Sequence, residues 1–552
     1  NDYDRKYHRN KSKTIRALYS RDAAVWNITN KRSDSYNQYA MSKFGTTRLS
    51  PYEILEDCLN LKATVVRDKI TDADGNEKSV VNKEETDLAQ EKQRELKEAF
   101  SEWIFANPER TEKLVEQYNV LFNSSRPREY DGSHLNFPEM NSEIKLRKHQ
   151  KDAIAHALYG GNTLFAHEVG AGKTFEMIGA IMEGKRLGLN KKALLCVPNH
   201  LTEQVGADFI KLYPNANILV ATSKDFEMKN RKKLFAKIAT GDYDAVIIGH
   251  SQLVRLPISE EKQRQFIQKE IDELKESLRE LKENNGERFH IAQLERMIKK
   301  LKDKLQKLID APKRDDEVYF EELGIDKLVL DEAHEYKNLF VATKLSNISG
   351  ISTNENVQKT VDLYLKCQYL DEITGSKGLI FATGTPVSNS ISEIHSMMKY
   401  LQSDLLRERN MTHFDAWAAS FAEIVTDSQL SPDGNKYQMK TRFAHFNNMD
   451  ELMSMWKECA DIKTTDQLGL DVPDCKLEIV VAKPTEMQLK MMEAIGERSD
   501  RIHNGNVDPH IDNMPQICTD GRKNALDIRL LNPDLPDSEG TKVNLCVDNV
   551  FK

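Results

Sequence analysis

From about residue 163 to 382 the chain alternates two hydrophobic patterns. Short runs are apolar almost throughout: Ala193-Leu194-Leu195-Cys196-Val197-Pro198, Asn217-Ile218-Leu219-Val220, Ala245-Val246-Ile247-Ile248, Lys327-Leu328-Val329-Leu330 and Gly378-Leu379-Ile380-Phe381. Between them lie longer stretches with apolar residues at helical spacing. Runs too short for helices, buried on both faces and separated by amphipathic helices, predict a parallel, doubly wound α/β sheet.

A different period interrupts this pattern from 259 to 310. Ile267, Ile271, Leu274, Leu278 and Leu281 step by three or four, and Asn284-Asn285-Gly286 breaks the series. Ile291, Leu294, Ile298, Leu301, Leu305 and Leu308 resume it. Heptads with Glu and Lys between them predict a two-stranded antiparallel coiled coil, each arm reaching roughly 30 Å. It reads as a hairpin projecting from the core, serving either as an inert spacer or as a contact element.

The stretch from Asn1 to Ser50 is polar and basic-aromatic with little periodicity. Pro51 opens a short amphipathic helix, Tyr52–Leu59. Thr64-Val65-Val66 and Ser79-Val80-Val81 flank Asp72-Ala73-Asp74-Gly75-Asn76 and predict a β-hairpin. Two helices follow, at 84–106 and 108–123, with Phe100, Trp103 and Ile104 as a buried face. Past residue 400, Phe414, Trp417, Phe421, Leu452, Met455 and Trp456 read as the core of a helical segment.

Composition narrows the class. A chain of 552 residues exceeds one hydrophobic core and implies several domains. No run of 18 apolar residues is present, so no membrane span is expected. The first residues, Asn1-Asp2-Tyr3-Asp4-Arg5, lack both an initial Met and a signal-peptide pattern, so the chain reads as part of a longer, cytoplasmic protein. Seven cysteines without a C-x-x-C suggest neither zinc nor disulfides. A net charge of −8 excludes a wholesale basic coat but leaves room for a local basic groove.

Three stretches carry candidate chemistry. In His167-Glu168-Val169-Gly170-Ala171-Gly172-Lys173-Thr174, the glycines let backbone N–H groups surround a phosphate. Lys173 adds a point charge, and the Thr174 hydroxyl can ligate Mg²⁺ at a helix N-terminus. His167 stands where a full phosphate-loop pattern has its first Gly, and a plain glycine turn before a helix is the alternative. Gln150, about twenty residues upstream, can reach an adenine edge with donor and acceptor together. In Leu330-Asp331-Glu332-Ala333-His334 an acidic pair ends a buried strand, where open parallel sheets bind ligands. Asp331 can hold Mg²⁺, and Glu332 can orient or deprotonate the water that attacks a γ-phosphate. His167-Glu168 and His334-Glu335 lack the second His of a zinc-protease helix. In Phe381-Ala382-Thr383-Gly384-Thr385-Pro386 the hydroxyls can link the acidic box to a nucleic-acid strand. A well-capped strand-to-helix turn would need the same residues.

In this order, L-R-K-H-Q, H-E-V-G-A-G-K-T, V-P-N-H-L, D-E-A-H and A-T-G-T-P-V-S-N-S resemble the superfamily-two helicase-like ATPases, DEAH-box type. Thr383–Ile394 looks like the Swi/Snf-type branch of DNA translocases. The whole is similar to the helicase region of large helicase/adenine-DNA-methylase proteins of bacterial conjugative elements and phages. The resemblance implies an α/β, RecA-like P-loop lobe using ATP and Mg²⁺ on double-stranded DNA, with a linked or associated DNA methylase as a further partner. It implies nucleotide contacts from Gln150, Val169, Gly170, Ala171, Gly172, Lys173 and Thr174, with Thr174 and Asp331 on the metal. Lys173, Asp331 and Glu332 would be catalytic. Pro198, Asn199, His200, Leu201, Ser251, Thr383 and Thr385 would lie near the DNA. The implied domains are an accessory region at 1–140, the ATPase lobe at 141–400 with 259–310 inserted, a helical insert at 401–515, and the start of a linker into a second lobe at 516–552. No arginine-finger segment of the Q-R-x-G-R-x-x-R kind follows, and Asp520–Arg529 resembles only the entry to that lobe, so slow hydrolysis is expected of this stretch alone. Other readings are a non-catalytic nucleic-acid-binding or assembly module, and a P-loop ATPase acting on protein.

Overall fold

The computed structural model describes residues 15–20, 25–31, 37–71, 77–120, 128–283, 288–310, 318–339, 358–388, 390, 392–430, 437–469, 476–503, 507–508, 510–537 and 540–551. In chain order the strands are β1 (Arg16–Ser20), β2 (Val25–Thr29), β3 (Arg67–Thr71), β4 (Glu77–Val81), β5 (Thr163–His167), β6 (Ala193–Val197) and β7 (Ile218–Val220). They continue with β8 (Ala245–Gly249), β9 (Lys327–Leu330), β10 (Leu379–Ala382), β11 (Ala422–Leu430), β12 (Tyr437–Phe446) and β13 (Ala460–Lys463). The first helices are α1 (Gln38–Phe44), α2 (Pro51–Leu59), α3 (Lys83–Phe105), α4 (Pro108–Tyr118), α5 (Lys148–Tyr159), α6 (Lys173–Arg186), α7 (Thr202–Leu212) and α8 (Met228–Thr240). They are followed by α9 (His250–Leu253), α10 (Glu260–Glu283), α11 (Arg288–Asp310), α12 (Gln358–Thr374) and α13 (Ser392–Leu401).

The apolar runs form a seven-stranded sheet in the order β13-β5-β10-β9-β6-β8-β7, and every pairing is parallel. Because successive side chains leave a strand on opposite faces, each run feeds two cores. Leu164, Leu194, Cys196 and Leu328 point to one layer, packed with Phe235, Leu363, Cys367, Met397 and Trp417. Phe165, Leu195, Val197 and Val329 point to the other, against Ile154, Ile178, Ile181 and Phe209. Helices cover both faces, so the predicted α/β, RecA-like lobe is present. Phe414, Trp417, Phe421, Leu452, Met455 and Trp456 are buried as expected, but in the first layer of this sheet rather than in a core of their own.

Contacts divide the chain into two compact units: 1–426 with 441–470, and 427–440 with 471–552. In the second unit, helices at Glu486–His503 and Met514–Leu526 are joined by reciprocal bonds. The Gln488 side chain donates to the Asn524 carbonyl at 2.8 Å, and Asn524 returns the bond to Gln488 at 3.0 Å. Arg498 binds Asp512 and Asp520.

Several expectations are corrected. The stretch before residue 50 contains the antiparallel pair β1–β2, stitched to α2 by Asn60, which bonds both the N–H and the carbonyl of Trp26. The β3–β4 hairpin begins at Arg67 rather than Thr64; Val66 instead takes the Thr86 hydroxyl as acceptor at 3.0 Å, and the turn at 72–76 lies outside the described residues. Phe100 and Trp103 are not buried but 56% and 52% exposed, Phe100 stacking on Trp103, which Arg110 covers. Helices α10 and α11 do pair through Ile267, Ile271, Ile298, Leu301 and Leu305, while Asn284-Asn285-Gly286 and the side chains of Leu281, Leu294 and Leu308 lie outside the described set. The pair is not free-standing: Leu274, Leu278 and Ile291 pack on Val25 of β2, and Lys262 ties α10 to Glu372 of α12 at 2.9 Å.

Candidate functional site

Strand order assembles the site. The C-terminal ends of β5, β10, β9, β6 and β8 stand side by side, so the loops after them form a row: 168–172, 383–388, 331–337, 198–201 and 250–254. Each sequence-predicted site residue except Gln150 and Thr174 lies in this row or at its helix start; those two flank it on α5 and α6.

The phosphate loop turns through two left-handed glycines, Gly170 (φ 88°) and Gly172 (φ 89°). A side chain would be strained at either position. At Gly172 a Cβ would also stand 2.4 Å from the Gln150 amide nitrogen. Gln150 is buried, and its amide serves the loop. Its oxygen accepts from the Arg147 N–H at 2.9 Å, and its nitrogen faces the carbonyls of Ala171 and Gly172 at 3.4 and 3.3 Å. Ala171 is buried beneath the loop, while Val169 is 80% exposed at its tip. Lys173 donates to the carbonyls of His167 (2.9 Å) and Glu168 (3.2 Å), and Thr174 occupies the first turn of α6.

The turn after β10 closes over this loop. A Cβ on Gly384 would lie 3.2 Å from the Val169 side chain and 3.7 Å from the Lys173 ammonium. Thr383 is fully buried; its hydroxyl contacts the His334 ring at 3.1 Å and accepts from the Thr385 N–H at 3.1 Å. Thr385 is exposed. His334 also lies 3.1 Å from the Glu332 carboxylate, so the acidic box and the β10 turn share one polar chain. Lys337 adds a second link, to Glu393 at 3.0 Å and to Ser388.

Asp331 is 8% exposed, and among the described residues its donor is the Glu332 N–H at 2.9 Å. Burial, then the neighbouring Glu332 carboxylate, pushes its carboxyl up to about 6, against the pull of that N–H and of Lys173. A buried carboxylate with so little compensation suits a cation ligand. The Asp331 carboxylate and the Thr174 hydroxyl are oxygen donors of the kind a magnesium ion takes. Glu332 holds a left-handed backbone (φ 48°, ψ 48°), uncommon for a residue with a side chain and typical of functional positions.

Farther along the row, the exposed Asn199 uses its side-chain oxygen to take the N–H and hydroxyl of Ser251, both at 3.1 Å. Pro198, His200 and Leu201 shape the turn into α7. His250, which the sequence did not single out, is buried between these loops: one ring nitrogen lies 2.9 Å from the Asp331 carbonyl and the other 3.3 Å from Glu335. Its position directly after an apolar strand was the available signal. His334 and Lys337, which link the acidic box and its loop to the turn after β10, were also not singled out.

Among the described residues, no cluster of three or more His, Cys, Asp or Glu side chains could hold a metal, and no helix is long and apolar enough to cross a membrane.

A family model described as a probable helicase domain matches residues 157–464, more than half of the chain. The chain belongs to that helicase-domain family. The match ends just past β13, so the family unit includes the strand that returns to the sheet after the helices beyond β10. A second model, described as a domain of unknown function, matches residues 2–124. Defense against restriction protein B of Escherichia phage P1 is 20% identical over 455 residues, 74% of this chain and 20% of that protein. The helicase-family chain thus spans a fifth of this curated relative. Among solved structures, the Sulfolobus solfataricus SWI2/SNF2 ATPase core in complex with dsDNA is 16% identical, covering 75% of this chain and 65% of that one, with a TM-score of 0.34. The same core domain alone is 14% identical, covering 74% of this chain and 63% of that one, with a TM-score of 0.31.

Proposed function

We propose that this chain is the ATP-binding first lobe of a DNA-dependent ATPase, a double-stranded-DNA translocase of the Swi/Snf type within a larger phage or mobile-element DNA-processing protein. The observation that carries this reading is the convergence of phosphate loop, acidic box and Thr383–Thr385 turn at the ends of three adjacent parallel strands. In this reading Gly170, Ala171 and Gly172 present backbone N–H groups to the phosphates, with Val169 at the loop's tip. Lys173, released from the two carbonyls it now holds, meets the terminal phosphate. Thr174 and Asp331 hold magnesium, which offsets phosphate charge when bound. Glu332 orients the attacking water. Gln150 braces the loop and, by shifting its amide, can address adenine. Asn199, His200, Ser251 and Thr385 face a DNA strand, with Pro198 shaping their loop. The buried Thr383 relays between His334 and that surface.

The domain division belongs to the same proposal: an accessory region at 1–140, the lobe at 141–400 with 259–310 inserted, an insert at 401–515 whose strand β13 completes the lobe's sheet, and a linker from 516. The test is ATP turnover by the intact gene product with and without duplex DNA. DNA should stimulate turnover. Glu332→Gln should keep ATP binding and lose hydrolysis by at least about 10²-fold, the low end for a general base. Turnover indifferent to DNA would favour an ATPase acting on protein; no turnover with intact ATP binding would favour an assembly module.

A further inference from the structure

His167 is the residue at which the loop departs most from the usual pattern. A complete imidazole, 0% exposed, fills a position where a full phosphate-loop pattern has glycine. The side chain lies between two carboxylates. Its Nδ1 is 2.9 Å from Glu176 Oε1 on α6, and its Nε2, which has no hydrogen-bond partner among the described residues, makes an ion-pair contact of 3.6 Å with Asp461 Oδ1 on β13. Glu176 is itself 0% exposed, and its second oxygen has no hydrogen-bond partner among the described residues. The His149 ring on α5 approaches the same Glu176 oxygen at 3.8 Å while bonding the Ala171 carbonyl at 3.0 Å. On β13, Lys463 stands 3.9 Å from Asp461.

The backbone runs parallel to this cluster. The strand pairing places Lys463 opposite His167, and the Glu168 N–H donates to the Lys463 carbonyl at 3.1 Å. The carbonyls of His167 and Glu168 are in turn the acceptors that hold Lys173. One residue therefore meets the phosphate-binding lysine through its main chain and the edge strand through its side chain.

We infer that His167 is a positioning residue for the phosphate loop: by joining Glu176 to Asp461 it fixes the loop to β13, and nucleotide affinity depends on that connection. The inference rests on the nucleotide reading and adds a named determinant to it. Two carboxylates on adjacent elements, one wholly buried, repel unless a cation lies between them. Removing that group leaves an uncompensated buried charge, which the loop relieves by moving toward water and so displaces the carbonyls around Lys173. Removing the buried carboxylate as well eliminates the reason to move.

The experiment measures binding of a fluorescent, non-hydrolysable ATP analogue with Mg²⁺ to the full chain, with thermal melting as the fold control. His167→Gln should weaken binding by about tenfold, and His167→Gln with Glu176→Gln should return it to within about threefold of wild type. Asp461→Asn, which leaves the His167–Glu176 contact intact, should weaken it by about threefold. A folded H167Q protein with wild-type affinity, or a double variant binding no better than H167Q, overturns the inference. If H167Q does not fold, wild-type affinity in D461N overturns it. Lys173→Ala separates the two levels: wild-type affinity there sinks the nucleotide reading, whereas its loss beside unchanged H167Q and D461N sinks only the role of His167.

Discussion

Burial alone would push the His167 imidazole toward its neutral form. The Asp461 and Glu176 carboxylates outweigh that effect and hold its pKa up at about 9, against about 6.5 in an unfolded chain. Its contribution to stability is therefore complete below about pH 6.5 and fades as pH rises through about 9. Asp461 carries the reciprocal shift: burial opposes its ionisation, but His167 draws it below the usual carboxylate range, so this shared contribution is lost on acidification as Asp461 protonates, and at high pH as His167 loses its charge. Lys327, pushed down to about 8 by burial, titrates in the same alkaline window with opposite sign, because its unfolded state binds the proton more tightly. The informative quantity is thus a difference. Wild type should lose melting temperature relative to H167Q between about pH 7 and 9.5, and parallel curves would contradict the assigned charge. Similar side chains take different roles by burial alone in the neighbouring loop. The Thr383 hydroxyl is enclosed and bonded to His334, while Thr385, two positions on, is open to solvent.

At the scale of elements, the central strands were legible because each is buried on both faces and so is written as an uninterrupted apolar run. Strand β13 was not: Ala460-Asp461-Ile462-Lys463 is short and half polar, as an edge strand can be, and its partner β5 (Thr163–His167) lies in a distant part of the sequence. No local pattern reports such a pairing. Trp103 shows the converse, an apolar residue at helical spacing that finds an Arg110 guanidinium rather than a core. The paired helices α10 and α11 were read correctly as neighbours through Ile267, Ile271 and Ile298, but their contact with Val25 depends on tertiary placement that heptads do not encode. That contact changes what a deletion should do. Replacing 262–306 with a short glycine linker should leave the seven-stranded sheet folded, since neither of its two core layers draws on those helices. It should also uncover Val25 and loosen β1–β2. Limited proteolysis should therefore cut in and around β1 and β2, N-terminal to α2, faster than in wild type while the lobe resists. Protection equal to wild type, or collapse of the whole lobe, would each refute this placement of the helices.

For the molecule as a whole, one parallel sheet does the organising. Its strand order was not written in any single segment, yet it brings stretches remote in sequence, such as 168–172 and 383–385, into contact. The phosphate loop and acidic box could be named from residue types because their chemistry demands Gly, Lys, Thr, Asp and Glu in fixed places. The histidines around them gained meaning only from the fold: His167 beside Glu176 and Asp461, His250 on the Asp331 carbonyl, and His334 between Glu332 and Thr383. The central claim is that this row of loops is a nucleotide site. Titrating the full chain with an ATP analogue, with and without Mg²⁺, tests it most directly. The account predicts Mg²⁺-assisted binding that Lys173→Ala weakens roughly 10- to 100-fold, the equivalent of losing a charged hydrogen bond of about 1.5–3 kcal/mol. Equal affinity in wild type and K173A, or no binding by either, would contradict it.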